Sequence, residues 1–330
     1  MRSQSTFQHL TLLSLALCLG AVPTQAQNVS DYPNRPIRVI VPVGAGAGLD
    51  TAARISAEAV EKHLGQRLVI ENKPGAGQKI GTAMAAKAPP DGYTLLFTTP
   101  TPIAVAQHFP QKLDYDPVGD FRPVAIAVYQ PVLLIVRPTL GVKTVAEFIA
   151  YAKGNPGKLS FGVQGLGGEM HLSLEHMKKL ATINITPVPY NAAAQAIVDL
   201  LADRLDAMFL VIPPIKGHVD NGRLLALATL NAKRVDQFPN VVTMAEAGLP
   251  DMTTALWFGY LAPAKVPQSV IDKLAEAFGK LQSDPMLVKR IAELGAELNI
   301  VGPAEFAKII NTDRNRYGKI VAEGNFEKLN

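Results

Sequence analysis

The sequence predicts an α/β protein built from two sheet-forming units. Three observations support this prediction. Short apolar segments alternate with amphipathic helical segments, the alternation restarts once, and glycine-rich loops join strands to the helices that follow them. The chain has 330 residues, which is about the length of two domains. We therefore expect two mostly parallel sheets covered by helices, with strands rather than a flexible linker crossing between them.

The first unit has a β-α-β-α-β order. Residues 37–42 form a short β-branched segment, as is typical of a buried strand. The next helix begins near Asp50 or Thr51, either of which can cap it, and ends before Gly65. A strand, a helix and a strand follow at 67–71, 79–88 and 93–98.

The second unit begins after residue 130, and helices end the chain. Its strands are predicted at 132–136, 159–163, 185–189, 205–209 and 224–229. Its helices are predicted at 144–153, where Thr144 is the cap, from residue 169 to about 181, and at 193–202. The last helices are predicted at about 267–282, 284–294 and 303–323.

Composition excludes several classes of protein. With 48% hydrophobic and 18% charged residues, the chain is too apolar to be disordered. The net charge is only +4 and no block of five Lys or Arg occurs, so we expect no nucleic-acid partner.

The first 26 residues have the pattern of a cleaved signal peptide. The segment 10–22 is apolar, and small residues stand at the −3 and −1 positions of a cleavage site after Ala26. A lipoprotein anchor at Cys18 is the alternative, but Leu17 stands where that signal needs a small residue. We expect a periplasmic protein whose mature part has no cysteine, which excludes thiol nucleophiles and thiolate metal sites.

Three glycine-rich loops, at 44–48, 74–77 and 165–168, each follow a strand and precede a helix. The first N–H groups of a helix lack partners inside the helix and lie at the positive end of its dipole. Such loops can hold phosphate or carboxylate. Ordinary strand-to-helix turns are the alternative interpretation.

Enzyme signatures are incomplete. Gly44 and Gly46 begin a GxGxxG dinucleotide pattern, but Leu49 occupies the position of its last glycine. The GxSxG, HExxH and Walker patterns are absent. His171 and His176 are five residues apart, so they do not share a helix face as metal ligands would. A secreted α/β oxidoreductase or hydrolase stays a remote alternative, and turnover would distinguish it.

Several segments resemble one family over nearly the whole chain after the leader. These segments are 32–38, ENKPGAGQKIGTAMAAKAPPDGYTLLF at 71–97, 113–125, 243–250 and 257–267. They are similar to the substrate-binding proteins of tripartite tricarboxylate transporters, the Bug family, and to its members that bind aromatic dicarboxylates such as terephthalate. The resemblance implies a type II periplasmic-binding-protein fold, with a ligand cleft between two α/β lobes. The expected lobes are 27–135 with 252–330, and 136–251.

The resemblance also implies partners. Members of the family deliver a small carboxylate to a permease with one large and one small membrane subunit. Some instead serve a sensor kinase, which we keep as an alternative. The resemblance implies no cofactor, no metal and no catalysis, and we expect a monomer.

The family's ligand-binding loops correspond to five segments of this chain. The expected binding residues are Val43, Gly44, Ala45, Gly46, Thr98, Thr99, Thr101, Gln164, Gly167, Gly168, His171, Tyr190, Asn191 and Leu210. For His171, donation to the ligand competes with bracing of its own loop, and for Tyr190, ligand contact competes with packing in the lobe. We expect Trp257 and Phe258 to belong to the core.

Departures from the family pattern bear on specificity. Leu210 and Val211 stand where the family often has an Asp-Asn pair, so that position offers no acidic partner for an amino acid's ammonium. Glu169 lies beside the expected anion site, where it should face solvent or pair with a cation. The hypothesis is an aromatic or medium-chain dicarboxylate, bound by backbone N–H donors without a full cationic partner.

Overall fold

The structure is a computed structural model that describes residues 31–164, 166–190, 192–254 and 256–323. The predicted leader and Asn191 lie outside these residues. The unit that begins at Pro33 contains two sheets, each with six strands among the described residues. Two sheet-forming units are therefore present, as predicted.

The strands and helices follow each other in an order close to the predicted one. The strands are β1 (Ile37–Val41), β2 (Leu68–Asn72), β3 (Thr94–Thr98), β4 (Phe121–Gln130), β5 (Val132–Val136), β6 (Ser160–Gln164), β7 (Thr186–Tyr190), β8 (Ala207–Val211), β9 (Leu225–Thr229), β10 (Val242–Thr243), β11 (Leu256–Pro263) and β12 (Glu297–Val301). The helices are α1 (Gly48–Leu64), α2 (Lys79–Ala86), α3 (Val145–Gly154), α4 (Glu169–Ala181), α5 (Ala193–Leu201), α6 (Lys216–Asp220), α7 (Gln268–Gly279), α8 (Pro285–Glu293) and α9 (Pro303–Glu323).

The first sheet has the order β12-β4-β11-β3-β1-β2. Strands β1, β2 and β3 run parallel, whereas β11 runs antiparallel to β3 and β4, and β12 runs antiparallel to β4. The prediction of a mostly parallel sheet is therefore wrong for half of it. Antiparallel neighbours need no helical crossover, so they can be strands that arrive from the other sheet or from the end of the chain. With helices α1, α2, α7, α8 and α9, this sheet is called the first lobe.

The second sheet has the order β10-β9-β5-β8-β6-β7 and, with α3 to α6, is called the second lobe. Strand β6 runs parallel to β7 and β8, while β5 runs antiparallel to β8 and β9. Only Pro131 separates β4 from β5, so the chain passes between the sheets at that residue. The passage places β5 in the second sheet, although the predicted first lobe extends to residue 135. The other predicted lobe limits stay a prediction.

Strand β5 shows why the apolar segments predict strands well. Its alternate residues face opposite sides of the sheet, and both sides are covered. Leu134 and Val136 pack in one core with Phe148 of α3, whereas Leu133 and Ile135 pack in another core. A strand that is buried on both faces is apolar throughout, which makes it visible in the sequence.

The first lobe has its own core, around Trp257 and Phe306, whose rings meet edge to face with centroids 4.9 Å apart. The Trp257 indole N–H donates to the buried carboxylate of Asp313 at 2.8 Å. Trp257 is fully buried, as expected for a core residue. Among the residues that the structure describes, no helix is long and apolar enough to cross a membrane.

Candidate functional site

A cavity of about 780 Å³ lies between the two lobes. This volume is within the range of small-molecule binding sites. The first lobe lines it with Val43, 47–49, 76–79, Thr99, Thr101, 105–106, 109–111, Gln130, Leu256 and Phe258. The second lobe lines it with Gln164, 166–170, Tyr190, Ala193 and 209–211.

Four helices begin at the wall of this cavity. Helices α1 and α2 begin there from the first lobe, and α4 and α5 from the second. Within the described residues, no side chain caps the first turn of any of the four. Away from the cavity, Thr144 caps α3 and Asp284 caps α8, whereas α6 and α7 also begin without a side-chain cap. The starts of the four helices therefore offer backbone N–H donors and positive helix ends to an anion.

The loop before α1 is held in place by one buried carboxylate. The Oδ2 atom of Asp50 accepts from the Gly46 N–H at 2.8 Å and from Arg54 Nε at 3.0 Å, and Oδ1 accepts from Asn72 at 2.8 Å. Burial raises the pKa of Asp50, but these hydrogen bonds outweigh burial and leave the pKa lowered. The expected cap at Asp50 or Thr51 is wrong, because Ala47 holds the cap position and Asp50 lies within the first turn.

The start of α2 is tied to the segment after β3. The Gln78 side chain donates to Thr99 Oγ1 at 3.1 Å, and its Oε1 accepts from the hydroxyls of Thr98 and Thr99 at 3.3 Å each. Gln78 itself has a left-handed φ of 74°. These bonds hold the start of α2 against the segment after β3, and both Gln78 and Thr99 line the cavity.

In the second lobe, His171 braces the loop before α4. Its Nδ1 accepts from the Gly167 N–H at 3.0 Å, so the neutral ring carries its proton on Nε2. Burial lowers the pKa of His171, in spite of the nearby Glu175 carboxylate. Gly167 has a left-handed φ of 77°, and the loop needs glycine there. Of the two roles considered for His171, this hydrogen bond supports the bracing of its own loop.

Tyr190 lines the cavity with its hydroxyl already engaged. That hydroxyl donates to Asp199 Oδ2 at 2.8 Å, within the same lobe. Burial and the Asp199 carboxylate raise the pKa of Tyr190 to about 12, so the hydroxyl keeps its proton. The ring is therefore the part of Tyr190 that is available to a ligand.

Comparison with known proteins identifies the family of this site. Residues 52–326 match the family described as Tripartite tricarboxylate transporter family receptor. The chain belongs to this family. The protein BugT from Bordetella pertussis (strain Tohama I) is 33% identical over 304 residues, which cover 92% of this chain and 92% of BugT.

Two solved structures of similar proteins contain carboxylates. Rpa4515 from R. palustris, with adipate, is 32% identical, has a TM-score of 0.77 and is matched over 98% of its length and 88% of this chain. MatC from Rhodopseudomonas palustris, with bound malate, is 29% identical, has a TM-score of 0.74 and is matched over 100% of its length and 88% of this chain. The predicted two-lobed binding-protein fold is thereby confirmed, and the chain is a solute-binding protein of this receptor family rather than an enzyme.

The structure places most of the expected binding residues of this family member at the cavity. Those that line it are Val43, Thr99, Thr101, Gln164, Gly167, Gly168, Tyr190 and Leu210. Those that do not line it are Gly44, Ala45, Gly46, Thr98 and His171. Gly46 and His171 instead stabilise the loops, through hydrogen bonds to Asp50 and Gly167. Asn191 lies outside the described residues.

Other wall residues were missed by sequence reasoning. Gln78 and Lys79 directly follow the glycine-rich loop 74–77, which is the signal that could have found them. No comparable sequence pattern indicated Phe109 or Gln111, which also line the cavity. Phe258, which we expected in the core, is buried at 5% exposure and also lines the cavity.

Two charged side chains lie in the wall of this receptor-family site, one from each lobe. Lys79, the first residue of α2, donates from Nζ to Gln111 Oε1 at 2.5 Å. The expectation of a ligand bound without a full cationic partner did not foresee this ammonium group in the wall. Glu169, the first residue of α4, is only 8% exposed, so it does not face solvent. In the part of the chain that the structure describes, no group of three or more His, Cys, Asp or Glu is placed to hold a metal ion.

Proposed function

We propose that the protein is a periplasmic solute-binding protein that captures a dicarboxylate between its lobes and delivers it to a tripartite tricarboxylate-type transporter. The observation that carries this proposal is the convergence of four uncapped helix starts on one cavity. Uncapped N–H groups at a helix start bind carboxylates well. Because two of these starts come from each lobe, a ligand with a carboxylate at each end would be held by both lobes.

The rest of the wall suits an apolar ligand centre. Phe109 and Phe258 contribute aromatic rings from the first lobe, and Leu166, Leu210 and Val211 contribute aliphatic side chains from the second. Apolar walls with a few placed polar groups are typical of small-molecule sites. This composition favours an aromatic or medium-chain dicarboxylate, such as terephthalate, over a short polar one. The adipate and malate bound by similar proteins support the carboxylate class.

Capture would work by closure of the lobes. Gln130 ends β4 and Leu256 begins β11, where the chain passes between the two sheets, and both residues line the cavity. A bound ligand would therefore lie next to both connections between the lobes. A ligand that contacts both lobes binds the closed form better and shifts the equilibrium toward it. The closed form would then dock on the large and small membrane subunits of the transporter. Export to the periplasm would use the leader predicted at residues 1–26.

The test compares ligands that differ by one carboxylate. A thermal-shift screen followed by calorimetry would use terephthalate, adipate, benzoate, citrate and aspartate. Terephthalate and adipate should raise the melting temperature most. Benzoate, which has one of the two carboxylates of terephthalate on the same ring, should bind at least tenfold more weakly. Tight binding of citrate or aspartate alone would contradict the proposed ligand class.

A further inference from the structure

Glu169 is a carboxyl group in the wall of the cavity that we propose binds an anion. It is more than nine-tenths buried, at 8% exposure, and it lines the cavity at the first residue of the 13-residue helix α4. Its Oε1 atom accepts no hydrogen bond from the described residues. Nor does it form an ion pair with any Lys or Arg among those residues. A buried carboxylate oxygen without a partner is costly, so a ligand that satisfies it gains affinity.

Groups from the first lobe face this carboxyl. Hydrogen bonding from Thr101 and the positive charge of Arg316 favour its ionised form, while Asp313 opposes ionisation. The hydroxyl of Tyr317, also on α9, is buried near it. Arg316 cannot neutralise Glu169 fully, because it donates to Asp313 at 2.9 Å and to a backbone carbonyl.

Together, these contributions shift the ionisation equilibrium of Glu169 toward the neutral acid. Burial raises the pKa of the Glu169 carboxyl to about 7, and hydrogen bonding from Thr101 only moderates the rise. The group therefore changes its protonation near neutral pH in the protein without ligand. A carboxylate brought next to it by the four helix starts adds a second negative charge and favours the protonated form further.

We propose that Glu169 binds the ligand as a neutral acid, donating a hydrogen bond to the carboxylate at the second lobe, so that capture takes up a proton from solvent. The proposal rests on the proposed function, since it needs an anionic ligand in the cavity. The proton stays on Glu169, and no covalent bond changes. A hydrogen bond between a carboxylic acid and a carboxylate is short and strong, so the neutral acid selects for carboxylates at this end. It also selects against an ammonium, which would need the ionised acid.

Calorimetry with adipate across pH tests this inference. If only the protonated form binds, the apparent Kd rises with the fraction of ionised Glu169. Between about pH 6.5 and about pH 8.5 the Kd of the wild-type protein should rise on the order of twentyfold, for a pKa near 7. Titration at pH 8.5 in two buffers of different ionisation enthalpy should show uptake of about one proton.

The variant Glu169→Gln separates the neutral acid from the ionised one. Glutamine keeps the shape and a donor but cannot titrate, so its Kd should be nearly constant across this pH range and lower than that of the wild type at pH 8.5. Since it removes a buried charge, it should melt no lower than the wild type above pH 7. The matched control is Glu305→Gln, which removes the same charge from the exposed surface of α9 and should keep the wild-type pH slope.

Three outcomes overturn the inference. Wild-type binding that is independent of pH, without proton uptake, would refute the neutral acid and leave the proposed function standing. Loss of affinity in Glu169→Gln at every pH would show that the ionised carboxylate accepts from the ligand. If neither adipate nor terephthalate binds at any pH, the proposed function fails, and the role of Glu169 fails with it.

Discussion

A side chain added at Gly167 would enter the cavity from the start of α4. A Cβ atom there would lie 3.3 Å from the ring of Phe109 in the opposite lobe. The substitution Gly167→Asp therefore adds bulk and a negative charge where we expect one ligand carboxylate. For two carboxylates about 5 Å apart at an effective dielectric constant of about 20, the repulsion is about 3 kcal/mol. This energy corresponds to a rise in Kd on the order of a hundredfold.

Two further variants separate charge, bulk and backbone strain. Gly167→Asn adds the same bulk without the charge. Gly141→Asp adds the same side chain at a glycine that also has φ +77°, where no neighbouring atom lies within 4 Å of the new Cβ. Calorimetry with adipate should give a Kd near that of the wild type for Gly141→Asp. Gly167→Asp should bind on the order of a hundredfold more weakly than Gly167→Asn. Equal affinities for these two would refute the placement of a carboxylate at the start of α4.

Three further predictions concern residues outside the cavity wall. Burial raises the pKa of Asp50, but hydrogen bonds led by that from Arg54 leave it lowered. Its carboxylate therefore stabilises the fold above about pH 4, and this contribution is lost as the pH falls through the lowered pKa. In urea at pH 7, Asp50→Asn should have a lower free energy of unfolding than the wild type, and this difference should shrink in acid. A difference that does not change with pH would contradict this prediction. Trp257→Phe removes a donor from the buried carboxylate of Asp313 and should cost about 1–3 kcal/mol of free energy in urea unfolding; no loss would contradict a stabilising hydrogen bond there. Thr144→Ala should cost about 1 kcal/mol in urea unfolding, whereas Thr144→Ser should be nearly neutral; equal losses would argue against a capping role.

Local sequence patterns predicted the elements whose causes are local. Strand β5 is apolar at every position because both of its faces are covered, and its predicted limits of 132–136 are those in the structure. The cap at Thr144 was also correct, since the accepted N–H of Glu147 lies only three residues away. The glycine-rich loops indicated helix starts, and all three loops contribute residues to the cavity wall.

Strands that depend on pairing with residues far away in the sequence were not predicted. Strand β4 contains Pro123, which argues against a central strand, yet it pairs with residues of β11 that lie more than a hundred positions away. Strand β12 is half exposed, so its apolar residues form no continuous segment. Such pairing depends on tertiary context rather than on local preference.

The same distinction holds at the site. The glycine-rich loops indicated that helices begin after them, although α1 begins at Gly48 rather than after a cap at Asp50 or Thr51. The side chains that face across the cavity could not be predicted, because Lys79 and Glu169 come from different lobes and line one cavity only after folding. For His171, the sequence allowed a contact with the ligand and a hydrogen bond within its own loop, and only the geometry distinguishes them.

A crystal structure of the protein with terephthalate tests the central claim most directly. We expect one carboxylate within hydrogen-bonding distance of backbone N–H groups at the starts of α1 and α2, and the other at the starts of α4 and α5. The ring should lie between Phe109 and the aliphatic residues of the second lobe. A ligand held at one lobe only, or bound by side chains while the helix starts remain in contact with solvent, would contradict the claim.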